Sequence, residues 1–117
     1  MLLTDQLEKL AKADTVAFGG VGIAGTMLPA TQAYFTLEEA VHLHRAELRG
    51  RLEALLDTAT PAGRVYAGEL LTHISAEAGR AAWAKLARQH VDVRTMAGCV
   101  MSRTTLARYA ATRLHTA

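Results

Sequence analysis

Two helix-starting signals lie close together in the middle of the chain, and they constrain the fold more than any other feature. Thr60 directly precedes Pro61, an order typical of a helix whose first residue is a proline, because that position needs no N–H partner. Ser75 is a second residue of the N-cap type. Since almost no linker separates the two helices, the sequence predicts an antiparallel helical hairpin from Pro61 to about Gln89.

The apolar content supports a helical fold. The chain has 23 Ala and 16 Leu against 7 Val and 2 Ile, and this mixture favours closely packed helices over a sheet. Gly63 and Gly68 fall inside the predicted hairpin, where each costs about 1 kcal/mol unless a neighbour packs against it. We therefore expect both glycines to be helix–helix contact points.

Three further caps predict the remaining helices. Thr4 and Ser102 are expected to begin the first and last helices. Thr36 and Glu39 match a capping box, and apolar residues at spacings of three and four then predict one helix of about 20 residues. His44 lies on the apolar stripe of that helix and is expected to be buried or to lie at an interface.

The other segments are irregular by sequence. Residues 14–29 contain four glycines and predict a loop or a close-packed small-residue segment. Residues 91–101 alternate valines with charged residues and predict a short strand or irregular connection. We expect one all-α domain over residues 1–117, a compact bundle of five or six helices, for which HEAT-like helix pairs are one fitting arrangement.

Several classes of protein are disfavoured. Cys99 is the single cysteine, so no internal disulfide forms and a reducing compartment is expected. The first nine residues include acids where a secretory signal carries bases, and the most apolar stretch is too short to span a bilayer. We expect a cytoplasmic protein without membrane contact.

The net charge of +2 conceals an asymmetry along the chain. Residues 1–79 carry six bases and ten acids, a net charge of −4, whereas residues 80–117 carry seven bases and one acid, a net charge of +6. Two interpretations follow. The halves neutralise each other across an internal interface, or the basic third forms a surface for an acidic partner, either protein or nucleic acid.

A glycine motif suggests a cofactor, but its context does not. Residues 20–25 match G-x-G-x-x-G, which binds dinucleotides when a strand precedes it and a helix follows. Pro29 stands four residues after the last glycine, and no βαβ unit follows. We therefore interpret this segment as a packing element and expect no cofactor.

No residue pattern identifies a catalytic or metal site. Cys99 as a nucleophile needs a base, for which His90 is nearest in sequence, but a cysteine beside glycine in an apolar run is more typical of a small buried side chain. The five histidines lack metal-ligand spacing. Four glutamates have the chemistry for acid–base catalysis if the fold brings them together, and nothing singles them out: Glu38, Glu39, Glu47 and Glu69.

Residues 100–109 resemble the recognition-helix half of a helix-turn-helix. The resemblance implies DNA-facing roles for Ser102, Arg103, Thr104 and Arg108. Gly98 and Cys99 depart from the motif, because they fall inside the supposed first helix.

A second resemblance rests on residues 60–67, TPAGRVYA, and the later Gly98-Cys99. This pattern is similar to that of small bacterial helical proteins with no assigned activity. The resemblance implies structural roles for Pro61 and Gly63, with Arg64 and Tyr66 as anchors.

We therefore expect a non-enzymatic helical module that binds another protein, such as a small bacterial inhibitor or immunity protein. Arginine and aromatic residues dominate binding hot spots, which gives five candidate contact residues: Arg64, Tyr66, Trp83, Arg103 and Arg108. The alternative is a nucleic-acid-binding protein that uses the basic C-terminal helix. A homo-oligomer is compatible with either function.

Overall fold

The computed structural model describes residues 3–22 and 24–116, which form six helices and one two-stranded sheet. The mostly helical fold is confirmed, but the sheet means that the protein is not a pure helical bundle. The elements are α1 (Leu3–Ala11), α2 (Pro29–Ala40), α3 (Arg45–Thr58), α4 (Pro61–Ile74), α5 (Ala76–Leu86), β1 (Asp92–Ala97), β2 (Val100–Thr105) and α6 (Leu106–Thr116). None of the helices in the described ranges has the length and apolar character that a membrane crossing requires.

Helix α4 is the centre of the fold, and its two predicted ends are confirmed. It packs against α1, α2, α3, α5 and β1. The Thr60 hydroxyl caps α4 by accepting from the Gly63 N–H at 3.1 Å. The Ser75 hydroxyl caps α5 by accepting from the Ala78 N–H at 3.0 Å. Both caps satisfy backbone donors that the first helical turn leaves without a partner.

Small residues bring the neighbouring helices close to α4, as predicted. A Cβ atom at Gly63 would lie 2.6 Å from the backbone oxygen of Leu10 in α1. A Cβ atom at Gly68 would lie 2.8 Å from the ring of Trp83 in α5. The glycines inside the helical hairpin are therefore contact points, and the close approach offsets their low helix propensity.

The capping box at Thr36 is a wrong prediction. Helix α2 begins at Pro29, which occupies its first turn, and Thr36 lies inside the helix with its hydroxyl bonded to the Gln32 carbonyl oxygen. The long helix is also broken, because a turn at residues 41–44 separates α2 from α3. His44 is exposed at that break and faces Glu47 at 3.8 Å. The apolar spacing did not reveal the break because α2 and α3 each carry their own row of buried apolar residues.

Two other predicted caps are wrong. Thr4 lies inside α1, and its hydroxyl accepts from the Arg51 guanidinium at 3.0 Å. Ser102 lies in β2, and the hydroxyl of Thr105 instead accepts from the Arg108 N–H at the start of α6. The chain before α6 is thus an extended strand rather than the turn of a helix-turn-helix.

The irregular segment at residues 91–101 is a β-hairpin that continues to residue 105. Strands β1 and β2 are antiparallel, and Gly98 has a φ of 58° at their turn. This backbone conformation favours glycine. The sequence indicated the first strand, but the second was assigned to the turn and start of the last helix.

Residues 14–28, called the glycine-rich loop below, connect α1 to α2 and pair with the hairpin. Val16 forms a parallel bridge with Thr95 in β1, and Val21 forms one with Gly98. Val21 also pairs with Thr26, so the glycines at 22 and 25, with φ of 74° and 64°, form a tight turn. No helix follows this turn directly, and the dinucleotide-binding geometry is absent from the described part of the loop.

A matched pair of glycine substitutions tests the close helix contact. Gly63→Ala is expected to lower the free energy of unfolding by about 1–3 kcal/mol, because the new methyl group would overlap the α1 backbone. Gly50→Ala in α3 meets nothing within 4 Å and is expected to stabilise by up to about 1 kcal/mol. Urea unfolding measures both changes. Equal stability of Gly63→Ala and the wild type would contradict the packing.

Candidate functional site

Of the five predicted partner-contact residues, two are buried in the core and a third is bonded within the protein. Tyr66 is fully buried and Trp83 is 2% exposed. The Arg64 side chain is half-buried and bonded within the protein, to the Ala59 carbonyl oxygen at 2.9 Å and the Gln89 side chain at 2.6 Å. Their interactions hold the core together, and this leaves Arg103 and Arg108 as exposed candidates.

The charge asymmetry is only partly neutralised inside the molecule. Lys85 pairs with Asp57 at 2.8 Å, and Arg113 pairs with Glu69 at 2.7 Å. Within the described residues, the other five bases of the C-terminal third make no ion pair, and all are exposed: Arg80, Arg88, Arg94, Arg103 and Arg108. Most of the basic excess therefore remains at the surface.

Two of these arginines meet on the outer face of the hairpin. Alternation along each strand places three cross-strand pairs on this face: Asp92 with Thr105, Arg94 with Arg103, and Met96 with Met101. The opposite face turns toward the core through Val93, which is 2% exposed. Met101 is 55% exposed, so the outer face presents apolar groups beside two arginines, with the exposed Asp92 at the other end of the face.

The backbone pairing brings the two arginines especially close. The Val16 N–H donates to the Arg94 carbonyl oxygen at 2.8 Å, and the Met96 N–H donates to the Val16 carbonyl oxygen at 2.9 Å. Arg94 and Met96 thus direct their backbone groups away from β2, which makes Arg94–Arg103 a non-hydrogen-bonded pair. Such pairs have Cα atoms only about 4.5 Å apart, and like charges opposite each other destabilise a sheet.

Sequence reasoning found Arg103 but missed the face to which it belongs. It assigned Ser102 and Arg103 to a helix, whereas both lie in β2. The available signal was the Gly98-Cys99 pair between two six-residue runs, since two-residue turns containing glycine join antiparallel strands. Cys99 was expected to be buried and is instead exposed at this turn.

A second group of polar side chains lies across three helices. Each helix contributes a pair four residues apart: Tyr34 and Glu38 from α2, Glu69 and His73 from α4, and Tyr109 and Arg113 from α6. The Tyr34 hydroxyl contacts His73 Nε2 at 3.2 Å and Glu38 Oε2 at 3.3 Å, and these two atoms are 3.0 Å apart. The fold therefore brings Glu38 into contact with an imidazole, while Glu69 lies nearby.

Burial governs the electrostatics of this group. Burial raises the pKa of Glu69 despite the opposing effect of Arg113. Burial and the nearby Glu69 charge raise the pKa of Tyr109 to about 12, and burial with the Glu38 charge raises the pKa of Tyr34. Both phenols are thus neutral hydrogen-bonding groups at physiological pH.

The polar group has some features of an acid–base site. A carboxylate beside a histidine can orient and charge-stabilise the imidazole. In the described ranges, the His73 side chain contacts Tyr34 and Glu38, and neither is a serine or cysteine nucleophile. The same ranges contain no group of three or more His, Cys, Asp or Glu side chains suited to a metal ion. The hairpin face carries two of the exposed arginines of the C-terminal third, and it is the candidate binding site.

A pair of tyrosine substitutions separates a core role from a binding role for Tyr66. Its buried hydroxyl accepts from the Ala17 N–H at 2.8 Å and contacts the Thr31 hydroxyl at 3.1 Å. Tyr66→Phe is expected to lower the free energy of unfolding by about 1–3 kcal/mol, because it leaves a buried donor unpaired.

The matched control is Tyr34→Phe, whose lost partners, Glu38 and His73, are partly exposed and can bond to water. Its expected cost is below about 1 kcal/mol. Chemical denaturation measures both variants. A smaller loss for Tyr66→Phe than for Tyr34→Phe would contradict the core role.

Comparison with known proteins assigns no function to this arrangement of residues. No protein family, characterised protein or solved structure matches the chain. A function for this protein is therefore inferred from its own residues and their arrangement.

Proposed function

We propose that the protein is a non-enzymatic binding module that recognises an acidic surface of another protein through the outer face of its β-hairpin. The observation that carries the proposal is the Arg94–Arg103 pair, in which two exposed arginines face each other without a described carboxylate partner. A small bacterial inhibitor or immunity protein is the narrower form of this proposal.

The cost of the arginine pair supports a binding role. Opposed like charges are unfavourable in an isolated sheet, and an acidic partner would convert this repulsion into two attractive contacts. Arginine is well suited to the task because its planar guanidinium bonds carboxylates in a bidentate manner and remains charged. The repulsion between Arg94 and Arg103 is therefore relieved most when a carboxylate-bearing surface is bound.

The neighbouring methionines supply the apolar part of the surface. Met96 and Met101 form the next cross-strand pair on the same face, and Met101 is largely exposed. Methionine is flexible and adapts to irregular partner surfaces. Apolar contact beside positive charge suits a folded or extended acidic protein segment better than a bare polyanion, and this favours protein over nucleic acid.

Charge reversal of the hairpin tests the proposal. The protein is immobilised in three forms: the wild type, Arg94→Glu/Arg103→Glu, and the control Arg80→Glu/Arg88→Glu. Both double variants change the net charge by the same amount, but the control residues lie in or just after α5. Proteins captured from extracts of the source cells, with and without nuclease treatment, are quantified by mass spectrometry, and circular dichroism checks that each variant is folded.

We expect an acidic protein to bind the wild type and the control and to bind the hairpin variant at least about tenfold more weakly, because like-charge contacts at an interface cost several kcal/mol. Equal loss in both variants would indicate a general charge effect and would overturn the proposal. Nucleic acid is the alternative ligand: binding that disappears after nuclease treatment, with a steep salt dependence, would also overturn it.

A further inference from the structure

An open groove runs along the core-facing side of β2, beside α6. Side chains alternate along a strand, so Val100, Ser102 and Thr104 share this side. Thr104 is paired with the buried Val93, whereas Val100 is 66% exposed and Ser102 is also exposed. The core therefore covers this side of the strand at one end only.

Two neighbouring cavities border the groove and share Tyr109. The first has a volume of about 440 Å³ and extends from Phe18 in the glycine-rich loop to Ser102. The second has a volume of about 530 Å³ and is bordered by Thr104 and Arg108. Ser102 and Thr104, which border one cavity each, are about 7 Å apart along the strand, so the two cavities are within reach of one extended small molecule.

The two cavities differ in chemistry. The first is walled mainly by apolar groups, Val16, Ala17, Phe18, Ala97 and Val100, and Met96 of the outer-face methionine pair borders its edge. The described lining of the second contains no carboxylate. Arg113 there is bonded to Glu69, but Arg108 is exposed and forms no ion pair within the described chain. An apolar cavity thus lies beside one that is bordered by a cation without a described carboxylate partner.

We propose that this groove binds a small amphipathic organic anion, a carboxylate or sulfonate with an alkyl or aryl body. The apolar body lies between the glycine-rich loop and β2, where its burial supplies affinity. The anionic group lies at Arg108, which supplies orientation and selectivity. The site lies on the side of the hairpin opposite Arg94 and Arg103, so its anion contact uses neither of the arginines proposed for protein binding.

Two fluorescent probes of similar shape test the proposal with the whole chain. Anilinonaphthalene sulfonate is anionic, and phenylnaphthylamine is neutral. Both are titrated into the wild type, Arg108→Gln, Ser102→Trp and the control Arg88→Gln. Ser102 is exposed and tryptophan is favourable in strands, so Ser102→Trp fills the groove without disturbing the core. Thermal unfolding checks that each variant is folded.

The wild type is expected to bind one molecule of the anionic probe per chain, and to bind it more tightly than the neutral probe. Arg108→Gln should weaken the anionic probe about three- to tenfold and leave the neutral probe unchanged, because it removes one partly exposed charge contact. Ser102→Trp should weaken both probes at least tenfold, and Arg88→Gln should change neither.

Competition on the wild-type protein gives a readout that does not depend on any variant. Decanoate is expected to displace the anionic probe at lower concentration than decanol, which has a similar chain without the charge. Equal potency of the two competitors would overturn the assignment of an anion site. Probe binding that persists in Ser102→Trp, or that falls equally in Arg108→Gln and Arg88→Gln, would overturn the location.

Discussion

The hydroxyl of Tyr66 fixes the segment on which the arrangement of helices and hairpin depends. It accepts from the Ala17 N–H and donates to the Ala17 carbonyl oxygen, both at 2.8 Å, while Thr31 bonds to the same carbonyl from α2. One buried side chain of α4 thereby holds the glycine-rich loop in an extended path. Val16, the preceding residue, then pairs with β1. The hairpin is positioned by the helices through this loop, and both faces proposed to bind ligands depend on it.

Close packing of the helices against α4 supports that arrangement. Gly63 and Gly68 let α1 and α5 approach α4 at distances that a side chain would prevent, and the gain in dispersion contacts offsets the entropic cost of glycine in a helix. Trp83 fills the space over Gly68 and also contacts the Tyr109 ring, with centroids 5.9 Å apart. Through Trp83, the packing of α5 on α4 also sets the position of α6, which forms one wall of the groove.

The parts of the fold that sequence predicted are those whose causes are local. Thr60 and Ser75 act on donors three residues away, so their own sequence neighbourhood determines them. Thr36 satisfied the same local rule and failed, because Pro29 starts the helix earlier and places Thr36 in its interior. The candidate site was less predictable still. Arg94 meets Arg103 only because the strands pair, and that pairing is decided by the turn and by contact with a loop distant in sequence.

Two bases of the C-terminal third have acidic partners, Lys85 with the exposed Asp57 and Arg113 with the less exposed Glu69. Where a base meets a half-buried acid, as Arg113 meets Glu69, the structure supplies an internal partner, since an isolated charge there would be costly. Arg94, Arg103 and Arg108 are exposed and remain solvated, so the folded state does not need a counter-ion beside them. The cost of the Arg94–Arg103 contact is instead repulsion between neighbours, which water and salt only weaken. A bound carboxylate would remove that repulsion directly, and this is the physical basis of the acidic partner proposed for this face.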